Sequence, residues 1–219
     1  HWEWRSARSF FSMSEEEKKL DLEYLFEEIP AAIRQASDGV KQVSRLVRAM
    51  KDFAHPDQGE KTLADLNLAV ENTVTVSRNE WKYVAEIELL LDPGLPKVPC
   101  LPGEINQVFL NLIVNAAHAI GSKNLDGQKG KILVETKNLV TIAEIRISDT
   151  GTGIAPEHQS RVFEPFFTTK AFGQGTGQGL AISHNAIVKK HQGTLSFETE
   201  VGKGTTFIIQ LPLKAAIEP

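Results

Sequence analysis

The sequence predicts an α/β fold: a two-layer sandwich of helices on one side of a mixed sheet, preceded by a helical hairpin or coiled-coil segment. Three observations carry that prediction. Apolar residues recur at heptad spacing between Leu25 and Ala54, they alternate at period two in two neighbouring stretches after residue 130, and strand-like and helix-like stretches follow one another from residue 60 onward. The first pattern is a narrow helical stripe, the second a pair of half-buried strands, and the third the succession of an α/β domain.

The helical segment comes first. Leu25, Ile29, Ile33, Ala36, Val40, Val43, Val47, Met50 and Ala54 form one seam, while Lys41, Arg45 and Arg48 fall off it into solvent. One helix cannot bury such a stripe alone, so the pattern predicts packing against other helices. Ser14 followed by Glu17 reads as a capping box, and Pro30 predicts a bend one turn before the regular heptads. Trp2, Trp4, Phe10 and Phe11 suggest the end of a preceding helix packing back. His55-Pro56-Asp57-Gln58-Gly59 carries turn chemistry, which places the boundary between a segment over 1–57 and a domain over 60–219.

Within that domain the spacing predicts a helix near 64–80, a strand near 84–91 and a helix from Pro102 to Ile120. Strands follow over Lys131–Lys137 and Ala143–Asp149, whose alternation (Ile132, Val134; Ile145, Ile147) marks one buried face. A loop-rich stretch over 150–177 leads to a helix over Gly177–His191 and strands over Thr194–Thr199 and Thr205–Leu211.

Composition narrows the function classes. At 219 residues with 41% apolar side chains the chain can build a real core, and a net charge of −4 with scattered Lys and Arg gives no field for nucleic acid. The single cysteine, Cys100, can form no internal disulfide and has no second metal ligand beside it, which fits a reducing cytoplasm. No stretch approaches the roughly 18 apolar residues of a membrane span. The start at His1 rather than Met reads as a piece of a longer parent with a sensor, membrane-bound or not, upstream.

Four motifs stand in order: Asn111-Leu-Ile-Val-Asn115-Ala, Asp149-Thr-Gly151-Thr-Gly153-Ile154, Phe163-Glu-Pro-Phe166-Phe-Thr-Thr-Lys170, and Gly173-Gln-Gly175-Thr176-Gly177-Gln-Gly179-Leu180. Asn111 and Asn115, four apart, share one helix face. Mg2+ prefers hard oxygen ligands, which such amides supply, although paired helix asparagines also cap or bond locally. Asp149 ends an apolar strand and runs into glycines, so its carboxylate sits at a strand tip. Taken alone that tripeptide also fits an ordinary turn or an aspartic-protease half-site, but no second copy occurs in the chain. The aromatic residues, Lys170 and the glycines together describe a lid over a helix start that attracts phosphate. Lys170 otherwise reads as solvated surface, and His118, one turn past Asn115, as either a phosphate contact or a structural donor.

Together the motifs describe a site for Mg-ATP, and the set resembles the ATP-binding domain of sensor histidine kinases. These belong to the superfamily that includes DNA gyrase, the heat-shock chaperone ATPases and the mismatch-repair ATPases. The blocks match the asparagine box, first glycine box, phenylalanine motif and second glycine box over roughly residues 60–213, with Gly202-Lys-Gly204-Thr205 closing the set. The resemblance implies the Bergerat-type ATP-binding fold. It implies Asn115 as the Mg2+ ligand, Asp149 as the adenine acceptor with Gly151, Gly153 and Ile154 beside it, and Lys170 with Phe166, Gly175, Thr176, Gly177, Gly179 and Leu180 around the phosphates. His118 and Thr205 complete the ATP contacts, and Asn111, Asn115 and Lys170 are the catalytic candidates. Gyrase-like relatives hold a catalytic glutamate at the position of Asn111; a neutral amide cannot deprotonate water, which favours transfer to another nucleophile over hydrolysis.

The resemblance further implies a homodimer through a helical bundle, autophosphorylation of a histidine and a response-regulator receiver domain as partner. None of the six histidines stands in a His-Glu/Asp-x-x-x-Pro acceptor box, so residues 1–57 read as a partial dimerisation hairpin. An ATP-gated interaction module without a kinase step, and a serine kinase of the anti-sigma type, remain alternatives. P-loop, dinucleotide-fingerprint and eukaryotic kinase signatures are missing from the sequence.

Overall fold

The computed structural model describes residues 60–214 apart from 124–126 and 171–176, with helical positions scattered between residues 28 and 40. The chain divides into two compact units, His1–Arg45 and Leu46–Pro219. In the first, Pro30 is itself helical, and the seam residues Ile29, Ile33 and Val40 are exposed. The capping box, the aromatic cluster and the turn at 55–59 lie outside the described residues.

The second unit runs β1 (Thr62–Ala64), α1 (Leu66–Val76), α2 (Arg78–Trp81), β2 (Ala85–Leu90), β3 (Val98–Cys100) and α3 (Pro102–Ser122). It continues with β4 (Gly130–Asn138), β5 (Ile142–Asp149), α4 (Pro156–Gln159), α5 (Gly179–His184), β6 (Thr194–Glu200) and β7 (Gly204–Pro212). Asp65 caps α1 by accepting the Leu68 N–H at 3.1 Å. The helix expected over 64–80 breaks at Ser77. There the Ser77 N–H is donated to Thr73 O and the Trp81 indole N–H reaches back to Val74 O at 3.2 Å, so the last carbonyls of α1 are satisfied without another turn.

Five strands form a mixed sheet in the order β2-β4-β5-β7-β6, with β2 and β4 parallel and every other pair antiparallel. The alternation read in the sequence is the alternation of the sheet: Ile132, Val134, Ile145 and Ile147 are all at most 1% exposed. Opposite them lies α3, opened by Pro102 in its first turn and burying Ile105, Phe109, Leu112, Ile113, Ala116 and Ile120. Burying one such side chain contributes about 1.5–3 kcal/mol. The other face of the sheet carries the ion pairs of Arg146 with Glu144 and Glu198. Two layers result, with α3 as the central helix.

A separate two-stranded sheet, β1 with β3, pairs Thr62 with Cys100 and was not foreseen from the sequence. It fixes the entry to α3, and His191 holds that entry from the other side. The His191 ring is 2% exposed; its Nε2 accepts the Leu101 N–H at 2.9 Å and its Nδ1 lies 2.7 Å from Ala186 O, which puts the proton on Nδ1. The helix begun at α5 is π-helical over Asn185–Lys190, closed by the His191 N–H on Ala186 O. His191→Phe keeps the ring volume but strands the Leu101 N–H, whereas Ala186 O keeps the bond from the backbone N–H of residue 191. A loss of about 2–3 kcal/mol in urea denaturation is expected.

Candidate functional site

Between α3, the tip of β5 and the segment leading into α5 lies a cleft of about 1100 Å3. Asn111, Asn115, His118, Asp149, Gly153, Ile154, Lys170, Gly177, Gly179, Leu180 and Thr205 all line it. The topology explains the convergence. Asp149 ends β5, Thr205 is the second residue of the adjacent β7, and α3 crosses beneath with one helical face turned to both.

Asp149 stands at the tip of β5. Its Oδ1 accepts the Gly151 N–H at 2.8 Å and the Thr205 N–H at 3.3 Å, while no hydrogen bond from the described residues reaches Oδ2. Burial pushes this carboxyl up to about 6, against the opposing pull of the two N–H groups and the Lys123 ammonium. The site therefore holds a costly carboxylate with one oxygen presented to the cleft. Gly153 adopts φ +71° where a Cβ would strike Glu200 O, so the wall beside Asp149 is backbone. Thr199 Oγ1 accepts the Ile154 N–H at 2.9 Å and meets Thr205 Oγ1 at 3.0 Å, tying that wall to the β6–β7 edge.

Elsewhere in the cleft Lys170 meets α3. Its Nζ lies 2.7 Å from His118 Nδ1 and 3.4 Å from Asn115 Oδ1, and Glu80 Oε2 lies 4.0 Å from His118 Nε2. Burial lowers the Lys170 pKa; burial and then the Lys170 charge lower that of His118, with Glu80 opposing. A neutral His118 ring can thus accept a Lys170 N–H, and the ammonium stands beside the Asn115 oxygen.

The other expected residues are placed differently. Asn111 has its whole amide engaged: Nδ2 donates to Gly179 O at 3.1 Å and Ser183 Oγ at 3.2 Å, and Oδ1 accepts from Gln107 Nε2 at 3.0 Å. Gly151 does not line the cleft but lies packed against Ala119, its N–H on Asp149. Phe166 is 71% exposed with φ +66° and does not line the cleft either. Phe167 does, tilted against His158 at 5.6 Å with the Arg161 guanidinium 4.6 Å above its ring. Gly175 and Thr176 lie outside the described residues. The sequence marks Phe167 as an aromatic anchor of the lid but not as a nucleotide contact, and it gives no signal for His158 or Glu80.

Residues 101–215 match the family model described as histidine kinase-, DNA gyrase B-, and HSP90-like ATPase. The chain belongs to this ATPase family. It is 34% identical over 173 residues to the sensor histidine kinase ZraS of Escherichia coli (strain K12), covering 78% of this chain and 35% of that protein. The signal transduction histidine-protein kinase AtoS of the same strain is 31% identical over 177 residues, covering 80% of this chain and 28% of its own length. The chain thus spans about a third of the length of the curated relatives it matches. Among solved structures, the catalytic domain of histidine kinase ThkA is 28% identical with a TM-score of 0.60, covering 70% of this chain and 98% of that one. The nucleotide-binding ATPase domain is therefore of the sensor histidine kinase type, built as a two-layer α/β sandwich. No described helix is long and apolar enough to cross a membrane.

Proposed function

We propose that this chain is the ATP-binding catalytic part of a sensor histidine kinase, passing the γ-phosphoryl group of Mg-ATP to a histidine of a dimerisation bundle for relay to a response-regulator receiver domain. The observation that carries the reading is the polarity of the cleft: a half-buried carboxylate with one oxygen that no hydrogen bond from the described residues reaches, and elsewhere in the cleft a cation beside an amide oxygen. Adenine offers an amino donor to Asp149 Oδ2, and the triphosphate extends toward Lys170.

The donors beside Lys170 fit Mg2+. Asn115 Oδ1 already faces an ammonium at 3.4 Å, and the described residues contain no cluster of three His, Cys, Asp or Glu that would hold a metal alone. An ion there would take Asn115 Oδ1 and fill its shell with phosphate oxygens and water, the usual arrangement for Mg2+ with a nucleotide. When bound it would neutralise charge on the phosphate oxygens. Lys170 is positioned to hold a terminal phosphate oxygen, and His118 to orient Lys170. Nothing in this set is a strong base, consistent with phosphoryl transfer depending on positioning and charge stabilisation. The proposed setting is cytoplasmic, as the cytoplasmic part of a sensor that is itself membrane-bound or not, with a homodimer formed through the heptad helix, whose seam residues Ile29, Ile33 and Val40 are exposed, with no nucleic acid as partner and no membrane contact by this part of the protein.

Incubating the full-length protein with γ-labelled ATP tests the reading. Acid-labile phosphohistidine is expected; acid-stable phosphoserine, or no label on a protein that binds ATP, would overturn it.

A further inference from the structure

We propose that Asn111 is a positioning residue: with Gln107 and Ser183 it clamps the first turn of α5 to α3, and so sets the distance between the two walls of the cleft. The inference rests on the nucleotide site proposed above and changes the part that Asn111 plays in it.

An amide that coordinates a cation needs a free oxygen, and one that contacts phosphate needs a free N–H. Asn111 has neither. Both hydrogens of Nδ2 are directed at α5, onto Gly179 O and Ser183 Oγ, and Oδ1 is taken by the Gln107 amide. Ser183 is fully buried and donates to Gly179 O at 2.8 Å within α5, so this one carbonyl receives one side-chain hydrogen bond from its own helix and one from Asn111 across the junction. Asn115 Oδ1, by contrast, faces the Lys170 ammonium across this cleft at 3.4 Å. Two asparagines one turn apart on one helix face are therefore divided between two tasks: the first holds the opposite wall and the second faces the ligand. Gly179 approaches closely enough that a Cβ there would lie 3.4 Å from Asn111 Cγ, an ordinary contact, so the junction is held by hydrogen bonds and not by a requirement for glycine.

The clamp and a metal-ligand role differ in their response to Mg2+. A clamp acts on the whole nucleotide, so its loss weakens ATP binding with and without the ion; a ligand acts only when the ion is present. Calorimetry with ATP in excess Mg2+ and with ATP in EDTA separates them. For Asn111→Asp, which keeps the shape and adds a better cation ligand but cannot donate to Gly179 O, the clamp predicts about tenfold weaker binding in both conditions. Ser183→Ala, which alters the junction without touching the cleft, should weaken both in the same direction, by about threefold, and the double variant should lose less than the product of the two. Amide exchange at Gly179–Ser183 in the nucleotide-free variants should rise at least tenfold while β4 and β5 stay protected. Loss of affinity confined to Mg-ATP, or unchanged exchange at Gly179–Ser183, would overturn the clamp. Failure of the unaltered protein to bind ATP at all would instead remove the nucleotide reading, and the exchange measurement would still decide whether Asn111 holds the junction.

Discussion

Asp149→Asn is expected to weaken adenine nucleotide binding at least about 100-fold and, in the nucleotide-free protein at pH 7.5, to raise the unfolding free energy by about 1–3 kcal/mol. Both effects follow from the same carboxyl. Oδ1 is held by the Gly151 and Thr205 N–H groups, so an asparagine must place its own oxygen there and its Nδ2 where Oδ2 stood. That turns a donor toward the adenine amino group, replacing an ion-assisted hydrogen bond with two confronted donors. The stability gain comes from the ionisation cost. The carboxyl ionises at 3.8 when solvated and at about 6 in the fold, because burial disfavours its charge. Between those values the folded protein holds a proton that the unfolded chain has released. The contribution of this group to stability is therefore greatest below about pH 4 and falls as pH rises to about 6, by on the order of 3 kcal/mol. Asparagine carries no such cost, so its advantage should be present at pH 7.5 and vanish near pH 4. Urea denaturation at the two pH values, beside calorimetry with ADP, checks the pair. Undiminished affinity, or a variant less stable at pH 7.5, would count against a functional carboxylate held at a cost to the fold. The same protonation predicts that nucleotide affinity of the unaltered protein declines as pH drops through about 6.

What could be read from residue order, and what could not, follows from the range over which each feature is determined. β4 and β5 were legible because alternation is local: Val134 and Ile147 pair across one register and both face α3. The strands β1 and β3 span three residues each and pair Thr62 with Cys100, too short and too far apart for any period to show. The π-helical turn after α5 depends on the N–H groups of His191 and Gly193 being donated to Ala186 O and Ile187 O, a choice that ordinary helical spacing does not foretell.

The site divides in the same way. Asp149, Asn115 and Lys170 lie in motifs whose spacing already implies a ligand, and all three line one cleft. Phe166 and Phe167 cannot be told apart by motif. Which ring turns inward is decided by the φ of +66° at Phe166, and Gly177, itself at φ +64°, packs so close that a Cβ on it would lie 2.5 Å from the Phe166 carbonyl carbon. Asn111 reads as a ligand in sequence because its partner Gly179 comes 68 residues later and only folding brings the two together.

Gly204→Ala should cost at least about 3 kcal/mol, the largest loss expected from a single added methyl in this domain. Gly204 opens β7 at φ +137°, a backbone conformation that a Cβ strains by itself, and the added atom would collide with the Asp149 carbonyl oxygen and lie 2.8 Å from its carbon. The obstacle is main chain, the backbone of Asp149 and Thr150. Thr150 Cα stands 3.0 Å away, so no side-chain rotation can make room and the β5 end must separate from β7. That separation also draws the Thr205 N–H off Asp149 Oδ1, which couples the folding defect to the nucleotide site. Gly202→Ala is the matched control: φ is again positive, at +77°, but nothing lies within 4 Å of the new methyl, so only the backbone strain of about 1 kcal/mol remains. Comparing the two in urea denaturation isolates the collision from the strain. Equal losses would mean that the close approach of β7 to the Asp149 carbonyl does not hold the carboxylate in place, and that the adenine end of the cleft is set by β5 alone.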